Sequence, residues 1–237
     1  MAAPPALAPV LAAGVGVRCG RGWALRSASF RMNTAMPGAG GLGIAVTRPA
    51  AAAAVIDLLA GHARPAYGEL RVLGADMTTA GGRTAVRRSV GIARRNAGPH
   101  ATLRIRGLVE HGARRAGAPA GLRHLLTAAT LDRLSLTAWA EVPVRSAPDV
   151  IVRRARLAAA AAGEPRLLLL EGLLDGLAGP DAAALAGCIC DLGRDMAVVM
   201  TGSDARALAL VCDETLTLAD GILISEAASS WPAWSLS

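Results

Sequence analysis

Ala162-Gly163-Glu164-Pro165-Arg166-Leu167-Leu168-Leu169-Leu170-Glu171-Gly172 is the stretch on which the fold turns. Four consecutive leucines between a proline and a glycine show no alternation of polar and apolar residues. That is the pattern of a strand covered on both faces, as in a parallel sheet. Ala197-Val198-Val199-Met200-Thr201 is a second block of the same kind. The alanine-rich segment from Asp181 to Leu192 predicts a helix between them, so the natural unit is β-α-β.

Working back from that unit, Leu42 to Val46 reads as another short strand. Behind it come Pro49, five alanines, and Val55-Ile56-Asp57-Leu58-Leu59-Ala60-Gly61. Proline at the first helical position, strong helix formers and a closing glycine predict a helix. Shorter strands are predicted at Val15–Arg18, Ala28–Met32, Gly68–Leu73 and Ser89–Ala93, with Pro37-Gly38 as a break. From about Thr102 to Gly163 the pattern turns helical. Working forward, Thr215–Ala219 and Ile222–Ile224 flank Asp220-Gly221, the signature of a two-residue hairpin turn. The serine-rich stretch 227–237, with Trp231 and Trp234, reads as a loosely attached tail.

Composition bounds what this frame can do. At 237 residues, 53% hydrophobic but only 3% aromatic, the chain can bury a large core made of alanine, leucine and valine. All 25 of its basic Lys+Arg residues are arginines, giving a net charge of +7. Nucleic acid is disfavoured as a partner, because almost no aromatics are available to stack bases and the arginines come in scattered pairs. Those pairs, Arg87-Arg88, Arg94-Arg95, Arg114-Arg115 and Arg153-Arg154, are expected on a solvated surface. Cys19, Cys188, Cys190 and Cys212 match no zinc or disulfide spacing, so buried free thiols are expected. His62, His100, His111 and His124 show no metal-ligand spacing. Ser203 has no histidine neighbour and is not a credible nucleophile. With no apolar run near 18 residues and no basic start, the chain is expected to be soluble and cytoplasmic.

The order of these segments resembles the ATP-binding cassette family, the ATPase subunits of ABC transporters, over roughly residues 10 to 226. The resemblance rests on Leu58-Leu59-Ala60-Gly61 through Gly68-Glu69-Leu70-Arg71-Val72-Leu73-Gly74, on Ala162 to Glu171 with Leu174-Asp175-Gly176-Leu177, and on Cys212-Asp213-Glu214-Thr215-Leu216-Thr217-Leu218-Ala219-Asp220-Gly221-Ile222. It implies an α/β, P-loop NTPase-like fold. A RecA-type core sheet with an N-terminal antiparallel β part would span 1–95 and 159–226, with an inserted helical subdomain at 96–158.

The resemblance also assigns stations, and most are chemically empty. The phosphate loop falls on Thr47, Arg48, Pro49, Ala50 and Ala51, with Ala52 at the lysine position and Ala53 and Ala54 at the hydroxyl positions. Such a loop needs glycines for positive φ, a lysine for the outer phosphates and a hydroxyl for Mg2+. The chain contains no lysine and no glutamine at all, so no shift of register restores either residue. The Mg2+-holding carboxylate falls on Glu171 and the general base on Gly172. Arg95 takes the glutamine-loop position, Ser203 the switch histidine and Cys19 the adenine-stacking aromatic. Ala147, Pro148, Asp149, Val150 and Ile151 stand at the signature that clamps a partner's nucleotide, and Ala178 at the dimer-contacting aspartate.

By resemblance alone, ATP and Mg2+ are the cofactors; the residues themselves predict none. A helix start near Pro49 could still attract an anion, with Arg48 adding charge. Three readings follow. The first is a non-hydrolysing pseudo-ATPase partner of a membrane subunit and a second cassette, held at the inner face of the plasma membrane. The second is an ATP-hydrolysing subunit with atypical motifs. The third is a free-standing binding protein or drifted remnant of the fold.

Overall fold

The computed structural model describes residues 8–32, 41–96 and 101–225. Pro37-Gly38, His100 and the 227–237 tail lie outside the described residues. Two sheets organise the rest. β1 (Val10–Cys19), β2 (Gly22–Arg31), β4 (Tyr67–Val72) and β5 (Ala75–Asp76) form an antiparallel sheet in the order β2-β1-β4-β5. β1 and β2 run well beyond the segments predicted from sequence. Alanine and glycine give their outer halves little intrinsic strand preference, but β1 is paired along both edges, and that pairing sets the conformation. Gly16 has no Cβ for a physical reason: one would lie 2.3 Å from the Tyr67 ring.

β3 (Gly41–Val46), β6 (Val90–Arg94), β7 (Leu167–Glu171), β8 (Ala197–Gly202), β9 (Cys212–Ala219) and β10 (Ile222–Ser225) form the second sheet, ordered β10-β9-β3-β8-β7-β6. All neighbours are parallel except β9 and β10. The four leucines of β7 are fully buried, Leu167 and Leu169 in one apolar cluster and Leu168 and Leu170 in the other. The unbroken apolar run therefore means two covered faces, each leucine contributing about 1.5–3 kcal/mol of burial. The turn joining β9 and β10 has both Asp220 (φ 48°) and Gly221 (φ 84°) left-handed, as a type I′ turn requires.

Helices cover the two faces. α1 (Pro49–Leu59) buries Val55, Ile56, Leu58 and Leu59 against β1, β2 and the six-stranded sheet. α2 (Ala80–Arg87) precedes β6. On the far side α3 (Ile105–Arg115), α4 (Arg123–Arg133), α5 (Asp149–Ala161) and α6 (Gly179–Gly193) share the second cluster, and α7 (Ala205–Leu208) follows β8. The alanine run of α5 has a packing role. A Cβ on Gly112 would lie 2.0 Å from the Ala159 carbonyl, and one on Gly91 would lie 2.2 Å from that of Ala160. Small residues thus let α5 press backbone-close against both α3 and the edge strand β6.

Two sequence expectations are corrected here. Of the four free cysteines only Cys212 is buried; Cys190 is exposed, and Cys19 and Cys188 are half-buried. Burial and the neighbouring Asp213 push the Cys212 thiol up to about 12, which leaves it protonated and inert. The arginine pairs are not uniformly solvated either, since Arg153 is 2% exposed. Its guanidinium reaches the Leu173 and Asp175 carbonyls, partners that no local pattern announces.

Candidate functional site

In an open α/β sheet, chemistry gathers beyond the carboxyl ends of the parallel strands. Glu171 ends β7, Arg94 ends β6, and Ser203 follows β8. Parallel pairing sets them side by side: the Arg95 N–H donates to the Glu171 carbonyl at 2.9 Å, and the Gly172 N–H to the Thr201 carbonyl at 2.8 Å. Between Gly172 and Ser203 stands a residue that sequence reasoning left without a role, Asp175. Its Oδ1 accepts from the Ser203 N–H at 2.8 Å, and its Oδ2 lies 3.1 Å from where a Gly172 Cβ would sit. Gly172 itself has φ +62°, a conformation that side chains rarely adopt.

The β3–α1 connection is short. Thr47 and Arg48 alone separate the strand from the helix, and no residue from Val46 to Ala54 has a positive φ. The peptide groups are thus not turned into the concave nest that wraps a phosphate. Pro49 has no N–H to offer, and Ala51 and Ala52 are buried in the first turn of α1. The N–H groups of Ala51 and Ala52 are spent on the Arg48 carbonyl, at 2.9 and 3.3 Å. Arg48 does not cap the helix; its Nη2 donates to the Trp23 carbonyl at 2.9 Å. Cys19 donates its thiol to the Ala50 carbonyl at 3.3 Å. Beside it, Trp23 carries the Arg18 guanidinium 4.9 Å from its ring centroid and meets Tyr67 edge-on at 5.3 Å.

Glu171 stands at the predicted Mg2+ station, and it is already paired. Arg94 Nη1 lies 2.9 Å from Glu171 Oε2, close enough for an ion pair though at an angle that makes no hydrogen bond. Arg94 Nη2 reaches Asp57 Oδ1 on α1 at 2.5 Å. Burial pushes the Glu171 carboxyl above its ordinary value, Arg94 pulls it back, and Asp57 pushes it up again. The site as built therefore fits Mg2+ poorly: a guanidinium stands against the carboxylate that a divalent cation would need. Among the described residues no group of three His, Cys, Asp or Glu could hold a metal. Asp57 and Arg94 were missed because the family stations draw attention to the adjacent positions. The one available signal was Asp57 itself, the only charged residue in α1.

Ala147 to Ile151 lie at the start of α5, with Pro148 as its N-cap, Asp149 exposed and Ile151 buried. Asp149 Oδ2 pairs with Arg153 Nη2 at 2.5 Å, so its charge is internally balanced. Arg153 Nη1 donates to the carbonyls of Leu173 (2.9 Å) and Asp175 (2.6 Å) in the loop after β7. One buried guanidinium thus joins the signature positions to the loop that holds Gly172. Ala178 caps α6 in extended conformation, without a side-chain bond.

No protein-family model matches the sequence, and no curated protein matches it. Solved structures do match in fold. CbiO1 from Clostridium perfringens, part of the ABC transporter complex CbiONQ, superposes with a TM-score of 0.77 at 16% identity, over 92% of this chain and 87% of that one. A putative metal-chelate type ABC transporter in an inward-facing conformation gives 0.76 at 19% identity, over 92% and 82%. The ATP-binding cassette MJ0796, a post-hydrolysis dimer bound to ADP and Pi, gives 0.70 at 17% identity, over 90% and 96%. The chain therefore has the α/β, P-loop NTPase-type fold of ATP-binding cassettes. No helix among the described residues is long and apolar enough to cross a membrane.

Proposed function

We propose that this chain, built on the ATP-binding cassette fold, is a pseudo-ATPase: a non-hydrolysing structural or regulatory subunit of a membrane transport complex. The observation that carries the reading is the Arg94 guanidinium set against Glu171, where Mg2+ would have to bind. The same internal satisfaction runs through the other stations. The start of α1 has no nest, and the N–H groups of Ala51 and Ala52 are spent on the Arg48 carbonyl. Gly172 has no side chain to orient a water. Cassettes resembling this one work as head-to-tail dimers, each nucleotide held between one phosphate loop and the other subunit's signature. Here both halves have changed, so the chain would silence both composite sites even beside an intact partner.

One observation favours an ATP-hydrolysing alternative: the Asp175 carboxylate lies where a side chain at 172 would begin. Its Oδ1 is committed to the Ser203 N–H, however, which makes it a loop brace rather than a base. Calorimetric titration with ATP, with and without Mg2+, tests the proposal. The expected result is no binding tighter than about millimolar and no turnover. Tighter Mg2+-dependent binding, with turnover abolished by Glu171→Gln, would sink it.

A further inference from the structure

Ile222 and Ile224 are 55% and 53% exposed, although both belong to a strand of the main sheet. The register of the hairpin explains this. Leu223, with Leu216 and Leu218 of β9, packs into the apolar cluster shared with α1. Successive strand residues point to opposite faces, so Ile222 and Ile224 take the other one, across from Ala219 and Thr217. Thr215 continues that row along β9, and it lines a cavity of about 630 Å³ between β9 and α7. Ala205, Arg206 and Ala209 supply the α7 side of the cavity, and Asp213 and Glu214 the β9 side. β10 is also the outermost strand of its sheet, yet Ile222-Leu223-Ile224-Ser225 carries neither a charge nor a proline, the devices that ordinarily guard an edge. Adjacent exposed isoleucines on an unguarded strand mark a surface that something covers. The other exposed apolar pair, Leu122 and Leu125 at the start of α4, is interrupted by Arg123 and His124.

The sequence that follows has the composition of a cover. Residues 226–237 continue directly from Ser225, carry Trp231, Trp234 and Leu236, and hold a single charge, at Glu226. Six residues of extended chain let Trp231 reach about 20 Å from Ser225, well beyond the span of Ile222 to Ile224. We infer that segment 226–237 docks on its own hairpin, with Trp231 and Trp234 covering Ile222 and Ile224 and entering the cavity beside α7. A buried indole N–H needs an acceptor, and the Asp213 and Glu214 carboxylates on the cavity wall supply one. Docking would tie the terminal hairpin to α7, the helix that follows Ser203. The inference is independent of whether the chain binds ATP.

The full chain, grown with fluorotryptophan, is read by fluorine NMR, each resonance being assigned by replacing the tryptophans one at a time with phenylalanine. Trp231 and Trp234 are expected away from their positions in urea, and unmoved by about a hundredfold dilution. In Ile222→Asp/Ile224→Asp both are expected at the urea positions, while Trp139, packed against the helical cluster, keeps its native resonance and reports a folded chain. If that variant unfolds, Trp231→Ser/Trp234→Ser decides the question from the other side. It is expected to raise binding of an anilinonaphthalene sulfonate dye about twofold or more over the native chain, because the isoleucines lose their cover. The inference is overturned by Trp231 and Trp234 at the urea positions in the native chain, by native resonances that persist in Ile222→Asp/Ile224→Asp, or by dye binding unchanged in Trp231→Ser/Trp234→Ser. Resonances that return to the urea positions on dilution, with a dimer mass in sedimentation, also overturn it and assign the face to a second copy of the chain.

Discussion

Arg94 stands 2.9 Å from Glu171 and joins the ends of two neighbouring strands, and its second amino group carries the link on to Asp57 in α1. Arg94→Met removes the one cation paired with Glu171 among the described residues and leaves the Glu171 and Asp57 carboxylates without it. Breaking a fully buried pair costs about 3–5 kcal/mol. Both carboxylates are partly exposed here, so the expected loss is about 1–3 kcal/mol, or several degrees in Tm. Arg94→Lys should fall between, because an ammonium cannot span both partners as the planar fork does. Urea denaturation of the three proteins checks the order; equal midpoints would mean that the ion pair does not hold the strand ends.

The raised Glu171 carboxyl gives a pH signature. Its folded value lies above its unfolded value, so between the two the native state binds more protons than the unfolded one. Stability contributed by this group is therefore fully present below the ordinary carboxylate value near 4.5 and is lost as pH rises through the folded value. The stability of wild type relative to Glu171→Gln is expected to fall as pH rises from about 4.5. Denaturation midpoints of both proteins across that range measure it, and a difference that grows with pH would reverse the assignment.

The parts of the fold that were legible in sequence are those whose cause is local. Four leucines between a proline and a glycine, a proline at a helix start and Asp-Gly between alternating residues each encode their own geometry. α2 was not legible, since its first three residues are Ala80-Gly81-Gly82. Side-chain contacts with the turn before it hold the helix, and Arg87 at its end donates to the distant Gly61 carbonyl. Thr79 caps it by accepting from the Gly82 N–H, Arg83 donates to the Met77 and Thr78 carbonyls, and a Cβ on Gly82 would strike the Asp76 carbonyl at 2.0 Å. At the site the division is similar. Losses at single positions, such as Ala52 or Gly172, can be read from residue type. The replacements, Arg94 on Glu171 and Asp175 on Ser203, link residues from different elements and exist only once the strands are paired.

Gly172 should resist repair. Glutamate at this position would have to adopt φ near +62° beside the Asp175 carboxylate, whose Oδ2 is 3.1 Å from the new Cβ. Left-handed strain costs roughly 1–3 kcal/mol, and like charges at that range add to it. Gly172→Ala isolates the backbone part, so Gly172→Glu should be the less stable of the two. Neither is expected to turn over ATP, because the start of α1 and the Arg94 pairing are unchanged. Thermal denaturation and a phosphate-release assay test both halves; turnover in Gly172→Glu would show that only the base was missing.

Arg153 couples the signature positions to the loop after β7, and its loss should be felt in both places. The side chain is 2% exposed, with Nη1 shared by the Leu173 and Asp175 carbonyls and Nη2 on Asp149. Nε has no partner, so the residue already carries one desolvated donor. Arg153→Leu keeps most of the buried volume but strands two carbonyls, at about 1–3 kcal/mol for each group left unsatisfied. The net loss is expected at about 2–4 kcal/mol, since removing the unpartnered donor returns part of the cost. Arg153→Lys should be nearly as damaging, because one ammonium cannot reach both carbonyls and the carboxylate in the guanidinium's geometry. Asp149→Ala removes only the exposed half of the pair and should cost less than 1 kcal/mol, roughly the value of a surface ion pair. If the guanidinium is the link, hydrogen exchange in Arg153→Leu will rise in residues 172–178 as well as at the start of α5. Exchange confined to α5 would show that Arg153 braces its own helix and nothing beyond it.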